Sequence, residues 1–175
     1  NLMISHTEST DLLDASTKNY YLGEAYGLRA YVYFHLLRSW GDVVLQLDYT
    51  NGNSIDIGNP SKAASSAADV MTQIKKDIQS SEDAFGDDYS FKYGKCYWSK
   101  AATMMLKGEV YLWSGKQMNG GESDYTTAKN ALMAVKTAGV GLLNDFKKVF
   151  AYDNKENDEI IFAIQTGRNQ RTTQR

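Results

Sequence analysis

Apolar residues along this chain recur mostly at the three- and four-residue spacing of an α-helix. The clearest segment covers residues 19–40. From Leu28 onward its apolar positions extend almost around the whole circumference, which is typical of a helix buried on several sides. Gly41 follows directly and supplies a helix stop signal. The pattern therefore predicts one long helix with little exposed surface.

Three further segments show helical spacing, each after a serine that can cap its first turn. They are about 66–85 after Ser66, about 100–113 after Ser99, and about 124–137 after Ser123. Ser66 and Asp69 have the spacing of a capping box. Phe146 and Phe150 indicate one more helical turn. The chain is thus predicted to contain four main helices packed as antiparallel neighbours.

The segments between these helices differ in character. Residues 42–66 form a long irregular connection, and residues 87–98 form a loop rich in aromatic residues. Residues 159–164 are β-branched and aromatic, which predicts a short strand. The fold class expected from the pattern is therefore all-α, built from helical hairpins, with a minor short strand.

Gly108 lies inside a predicted helix, where glycine costs about 1 kcal/mol relative to alanine. Close approach of a neighbouring helix is the usual reason to tolerate that cost. Ala128 and Ala131 offer small residues on the next helix. This alternation loosely resembles a tetratricopeptide (TPR) unit with an insertion at 116–124, although a plain helical hairpin has a similar pattern.

Composition and charge exclude several classes of function. The formal net charge is −2, and basic residues cluster only at Arg168, Arg171 and Arg175, so the basic face of a nucleic-acid binder is missing. No run of 18 apolar residues is present to form a membrane-spanning helix. We expect no nucleic acid as a partner.

Metal and cofactor sites are not indicated either. Cys96 is the single cysteine, and two distant histidines with one cysteine make no zinc pattern. The acidic run at 153–159 has Lys155 at one ligand position and lacks the turn glycine of a calcium loop. No phosphate-binding or nucleophile motif occurs. We therefore predict no metal, no cofactor and no catalytic residue.

Several stretches, in order along residues 17–165, resemble the SusD/RagB family of glycan-binding lipoproteins. The matching residues are Gly23-Glu24-Ala25, Leu28-Arg29-Ala30-Tyr31, Tyr33-Phe34, Trp40-Gly41-Asp42-Val43, Ile74, Asp77, Ile78, Lys100-Ala101-Ala102, Tyr111-Leu112, Tyr125, Ala128, and Asn157 with Glu159-Ile160-Ile161. Val44 departs from the family pattern, which usually has proline there. Each motif alone is weak, whereas the ordered set is specific.

This resemblance implies a TPR-like helical solenoid of the SusD type, of which residues 1–175 are a partial domain. A lipid anchor would precede this part and a variable region would follow it. Such proteins sit on the outer face of the outer membrane. They bind oligosaccharides without cutting them and pass them to a SusC-like TonB-dependent barrel transporter.

The aromatic loop is the best local candidate for sugar contact, because pyranose rings stack on flat aromatic surfaces. Its aromatic residues are Tyr89, Phe91, Tyr93, Tyr97 and Trp98, and the four selected as ligand-binding candidates are Tyr89, Phe91, Tyr93 and Trp98. The alternative is that these rings only cover helix ends. Trp40 and Trp113 lie in helices and are expected in the core.

Other residues of the matching motifs are expected to be structural. Glu24 and Arg29 are five positions apart, so they point away from each other and each should pair with another element. Gly23, Gly41, Asp42 and Gly108 are assigned the same kind of role. Two other functions stay open at this stage, namely a TPR-like scaffold that binds protein and an all-α glycosidase.

Overall fold

The structure is a computed structural model, and it describes residues 1–49 and 62–164. Six α-helices and one 3₁₀ turn form in these ranges. They are α1 Leu2–Ser9, α2 Ala15–Trp40, α3 Ala67–Phe85, α4 Lys100–Gln117, α5 Gly121–Ala134, the 3₁₀ turn Val135–Ala138, and α6 Phe146–Val149. The predicted all-α fold class is confirmed. Much of the predicted connection after α2, including Pro60, lies outside the described residues.

Local capping explains where the long helices begin. The Asp14 carboxylate accepts a hydrogen bond from Thr17 N at 3.0 Å and starts α2. The predicted serine caps of α3 and α4 are confirmed, since Ser66 accepts from Asp69 N and Ser99 accepts from Ala102 N. The cap predicted at Ser123 is wrong, because α5 already begins at Gly121 without a side-chain cap.

Consecutive helices run antiparallel. Gly23 near the start of α2 lies against Phe85 at the end of α3. At the other ends of these helices, Asp42 accepts a hydrogen bond from Ala67 N at 2.7 Å. Gly108 lies against Leu132 on α5 in the same way. The chain is therefore a stack of helical hairpins, as predicted.

One hydrophobic core joins α2, α3 and α4. Its largest fully buried side chains include Phe34 on α2, Ile74 and Ile78 on α3, and Val110 on α4. Burying side chains of this size contributes about 1.5–3 kcal/mol each relative to leaving them in water. The core thus fixes the relative positions of three helices and of the loop between α3 and α4.

The far side of α2 is more exposed than its pattern predicted. Leu28 and Val32 lie at the surface in a shallow depression with Met3 and Val44. Trp40 is 70% exposed, so the prediction that it lies in the core is wrong. Trp113 is partly buried, with its ring 5.9 Å from that of Phe34. The apolar residues around α2 therefore did not indicate which of its faces are buried by other parts of the chain.

The strand predicted at 159–164 does not form. Its one backbone hydrogen bond to the aromatic loop joins Ala163 N to Lys95 O at 2.9 Å, and no strand is present in 1–49 or 62–164. Ile161 and Phe162 instead pack against the core. The β-branched composition reflects burial of this segment and not a ladder of hydrogen bonds. None of the helices in the described ranges is long and apolar enough to cross a membrane.

Candidate functional site

The aromatic loop, defined here as residues 86–98, links α3 to α4 and has two glycine turns. Gly86 has φ +56° and ends α3, while Gly94 has φ +91°. Gly94 N donates to Phe91 O at 3.0 Å, which closes a turn around Lys92 and Tyr93. Asp88 accepts a hydrogen bond from Ser90 N, and the bonds from Ser90 hold the pKa of that carboxyl below its usual value. The loop is therefore a folded structure of its own.

Tyr93 and Tyr97 are the exposed aromatic residues of this loop. They are 51% and 48% exposed, and their ring centroids are 5.6 Å apart. Tyr93 also meets the ring of Tyr20 on α2 edge to face at 5.3 Å. Two tyrosine rings thus stand at the surface on a buried aromatic support. Tyr97 was not among the four residues singled out from the sequence.

A pocket of about 310 Å³ is lined by Tyr20 and Lys92, the two residues that contact Tyr93, and most of its other lining residues are polar. Its polar side chains are Ser16, Asn19, Asp83, Asp88 and Lys92. The Lys92 amine lies 5.0 Å from the Tyr20 ring centroid and 5.6 Å from that of Tyr93, so it joins the pocket to the tyrosine pair. Donors and acceptors therefore lie beside an exposed aromatic surface.

Tyr89 and Phe91 are half-buried, and each has a lysine over its ring. The Lys100 amine lies 5.8 Å from the Tyr89 ring centroid, and the Lys95 amine lies 4.8 Å from that of Phe91. Burial lowers the pKa of Lys100 and raises that of Tyr89. These two rings hold the base of the loop more than they form its surface.

Trp98 lies in the core and is only 3% exposed. Its indole N–H donates to the Thr103 hydroxyl at 2.9 Å, and its ring packs on Phe162 at 5.1 Å. The suggestion that this ring stacks on a sugar is therefore corrected. Trp98 anchors the end of the loop, as in the alternative reading of the aromatic cluster.

The surface of α2 beneath the loop is built from small residues. Any Cβ at Gly23 would overlap the Phe85 ring, and any Cβ at Gly27 would overlap the Trp98 indole. Glu24 lies between the two glycines and is buried. Its carboxylate accepts from the Tyr20 hydroxyl at 3.3 Å. The role of Gly27 was missed from the sequence, although its four-residue spacing from Gly23 was a visible signal.

Arg29 pairs with α3, where its Nε and one terminal nitrogen each lie 2.7 Å from an Asp77 carboxylate oxygen. Asp77 is 1% exposed. Desolvation opposes the charge on Arg29, but the bonds to Asp77 prevail and raise its pKa. Arg29 lies more than one helical turn after Glu24 on α2, and the two residues have different partners.

The other residues assigned to structure lie at helix ends and contacts. Gly41 has φ +72° and ends α2, which a glycine permits. Asp42 caps α3 through Ala67 N. Gly108 lets Leu132 approach α4. Across residues 1–49 and 62–164, no group of three or more histidine, cysteine, aspartate or glutamate side chains could hold a metal ion.

The aromatic loop is also held from the C-terminal side. The buried Lys95 amine donates to Asn157 O at 2.6 Å, and Ala163 N donates to Lys95 O at 2.9 Å. The Glu156 carboxylate lies against Gly94. The sequence did not indicate these contacts, because a lysine in an aromatic loop gives no signal that it is buried.

Comparison with known proteins places this chain among relatives of one kind. No family model matches it. A SusD-like protein of Bacteroides ovatus is 28% identical over 163 residues, which are 91% of this chain and 28% of the relative. SusD-like protein P38 of Formosa agariphila is 30% identical over 145 residues, which are 81% of this chain and 25% of the relative.

Several solved structures are similar to this chain in fold, and some of them also in sequence. A SusD superfamily protein of Bacteroides vulgatus is 60% identical with a TM-score of 0.88, covering 97% of this chain and 34% of that chain. Bacteroides fragilis NanU is 62% identical with a TM-score of 0.89, covering 97% and 33%. A laminarin-binding SusD-like protein shares the fold at 22% identity and a TM-score of 0.74. The chain spans a quarter to a third of the length of these relatives. This chain belongs to the SusD-like family, as its ordered motifs predicted.

Proposed function

We propose that this chain is part of a cell-surface protein that binds glycans, and that the aromatic loop contacts the sugar. The observation that carries this proposal is the exposed pair Tyr93 and Tyr97, which Tyr20 and Lys92 connect to a polar pocket. Exposed clustered aromatic residues normally take part in an interaction, since leaving them in water is unfavourable. The flat apolar faces of sugar rings fit such a surface.

The polar rim supplies the second half of sugar recognition. A sugar ring offers hydroxyls that both donate and accept hydrogen bonds. Asn19 and Ser16 can do both, while the Lys92 ammonium can only donate. Asp83 and Asp88 can accept from hydroxyls that face them. In such a ligand site the apolar surface, here the tyrosines, provides the contact area, and a few polar groups fix the orientation of the ligand.

Two carboxyl groups near the loop have properties that favour sugar binding without cleavage. A glycosidase needs one carboxylic acid with a raised pKa to protonate the leaving oxygen. The Asp88 pKa is lowered by its bonds with Ser90, so this residue is ionised and unsuited to that role. Burial does raise the Glu24 pKa, but this carboxyl lies beneath Tyr20 and away from the surface.

The family places the proposal in a wider setting. SusD-like relatives support an outer-membrane, cell-surface location for the whole protein. On the same support, the whole protein delivers its oligosaccharide to a SusC-like TonB-dependent barrel transporter. Gentle detergent extraction followed by mass spectrometry should recover both proteins together. Recovery of the whole protein alone, where known pairs survive, would refute the transporter partner.

Glycan binding is tested with the whole protein on native gels that contain single polysaccharides, laminarin and starch among them. Retardation by at least one is expected. Replacing Tyr93 and Tyr97 together with alanine should weaken binding by about 1–3 kcal/mol, by analogy with stacking of bases on aromatic rings. Tyr152→Ala removes an 85% exposed tyrosine outside the loop and is the matched control.

The outcomes separate the candidate functions. Full affinity in the double variant would remove the loop from the site. Release of reducing ends by the wild type would favour a glycosidase. Retardation by no polysaccharide, together with retention of a protein partner, would favour a TPR-like scaffold. Loss of helicity in the double variant would show that these rings support the fold.

A further inference from the structure

Both ends of the aromatic loop rest on one short stretch of α2. At the start of the loop, Phe85 lies on Gly23, and at its end Trp98 lies on Gly27. Neither glycine leaves room for a Cβ. Glu24 lies between these two contacts and is 8% exposed. A buried carboxylate therefore lies between the two anchors of an exposed binding loop.

Glu24 supports the loop through Tyr20. Its Oε1 accepts a hydrogen bond from the Tyr20 hydroxyl at 3.3 Å. A carboxylate is a stronger acceptor than a neutral oxygen, so this bond restrains the Tyr20 side chain. Glu24 thus holds an aromatic residue of α2 that lies against the loop.

Tyr20 carries the effect of Glu24 to the surface. Its ring meets Tyr93 at 5.3 Å and Phe85 at 5.9 Å, both edge to face. The Lys92 amine lies 5.0 Å from the same ring. With its hydroxyl fixed by Glu24, the Tyr20 ring has one orientation, and Tyr93 packs against it. Tyr93 in turn lies 5.6 Å from Tyr97.

We propose that Glu24 is a positioning residue for glycan binding, holding Tyr20 so that Tyr93 and Tyr97 keep a fixed arrangement. This rests on the proposed role of the loop in sugar contact. A preorganised surface binds more tightly because less side-chain and loop freedom is lost on binding. Glu24 itself is buried and does not touch the sugar.

The competing explanation is that Glu24 only stabilises the helix stack. Asp77 provides a matched control, because it is also a buried carboxylate in the contact of α2 with its neighbours. It pairs with Arg29 and has no contact with the loop among its hydrogen bonds. A role limited to helix packing would give Glu24→Gln and Asp77→Asn the same pattern of effects.

The experiment compares hydrogen exchange in the wild type, Glu24→Gln and Asp77→Asn, followed by mass spectrometry of peptides. Glutamine keeps an acceptor oxygen but carries no charge, so its hydrogen bond from the Tyr20 hydroxyl is weaker. We expect amides in 93–98 to exchange about tenfold faster in Glu24→Gln, a local loss of about 1.4 kcal/mol. In Asp77→Asn, exchange should rise in α2 and α3 and stay unchanged in 93–98.

Equal exchange at 93–98 in Glu24→Gln and the wild type would overturn the proposal, and so would a rise that Asp77→Asn shares. Tyr20→Phe removes the hydroxyl that Glu24 holds and should also give a rise at the same peptide, which keeps the test valid if Glu24→Gln folds poorly. Exchange requires no sugar, so its result is independent of whether the loop binds glycans.

The second readout is affinity on the laminarin and starch gels. If the wild type is retarded, Glu24→Gln should lose about fivefold or more in affinity while Asp77→Asn keeps it, even where Asp77→Asn melts at the lower temperature. Loss of affinity in both, in proportion to stability, would overturn the positioning role. If neither polysaccharide retards the wild type but exchange responds as expected, Glu24 does position the loop, and the proposed binding of these glycans is wrong.

Discussion

Replacing Gly27 with alanine tests how firmly the end of the aromatic loop is seated on α2. The added Cβ would overlap the Trp98 indole at its nitrogen. Trp98 cannot easily move, since it is almost fully buried, donates to Thr103 at 2.9 Å and packs on Phe162. Either the helix backbone or the indole has to shift.

Two opposing effects decide the sign of the change in the free energy of unfolding. Alanine in place of glycine within a helix gains about 1 kcal/mol from helix propensity. Overpacking a buried contact costs about 1–3 kcal/mol. Displacing the indole also weakens its hydrogen bond to Thr103, which costs about 1 kcal/mol more. We therefore expect Gly27→Ala to destabilise the protein by about 1–3 kcal/mol.

Gly108→Ala is the comparison, because its added Cβ meets only the Leu132 side chain, 2.5 Å from Cδ2 and Cγ. Leu132 is partly exposed and can turn away. Here the propensity gain of about 1 kcal/mol offsets a smaller clash, so the net change should lie within about 1 kcal/mol of zero. A larger residue at the same place, as in Gly108→Leu, should destabilise by about 1–3 kcal/mol.

Urea unfolding followed by circular dichroism measures all three variants against the wild type. Tryptophan fluorescence provides a second signal, and a red shift is expected in Gly27→Ala, where Trp98 is displaced. If Gly27→Ala were as stable as the wild type or more so, the indole would be free to move, and the seating of the loop on α2 would be wrong.

Three further predictions concern other parts of the chain. Asp77→Ala leaves Arg29 without its partner and should destabilise the protein by about 3–5 kcal/mol in urea unfolding, whereas a change below 1 kcal/mol would show that water replaces the carboxylate. Bonds from Lys75 and Ser114 outweigh desolvation and lower the Asp124 pKa, so the stability that Asp124 adds over Asp124→Asn should be full at neutral pH and shrink as pH falls below about 4, the unfolded value; a constant difference down to pH 2 would contradict this. The isolated chain should self-associate through the exposed apolar face of α2, and replacing Leu28 and Val32 with lysine should lower its mass in light scattering towards that of the monomer. An unchanged mass in this variant would show that the chains associate through another surface.

Sequence alone predicted the helices well where the signals were local. Ser66 and Ser99 cap the helices that they precede, because a cap depends on residues only three positions away. Ser123 is not a cap, because α5 begins at Gly121 and includes it. The neighbouring Asp124 makes contacts that the sequence did not indicate, with Lys75 on α3 and Ser114 on α4.

Burial was harder to predict, since it depends on distant partners. The position of Trp98 in the core is decided by Gly27, which lies 71 positions earlier and makes room for the indole. Trp40 has an apolar context, yet no part of the described chain covers it. The segment 159–164 has the composition of a strand, but it packs against the helical core and has no partner strand.

The candidate surface was half predicted. Composition pointed to the right loop, and Tyr93 is exposed there. Which of the neighbouring rings face solvent depends on Tyr20 and on Lys95, and both act through contacts across the fold. Motif resemblance marked Glu24 as notable without explaining it, whereas the structure shows that it holds Tyr20.

The contacts that hold Lys95 have a consequence for the order of folding during synthesis. The pair α2 and α3 can pack once residue 85 has left the ribosome, because their contacts lie within one hairpin. The aromatic loop is different, since Lys95 waits for Asn157, 62 residues later, and for Ala163. Gly23 and Phe85 are also 62 positions apart, so the order follows from when each partner is synthesised and not from the distance along the chain. The proposed sugar-contacting surface is therefore among the last parts of this chain to acquire its final form, after the helices beneath it have packed.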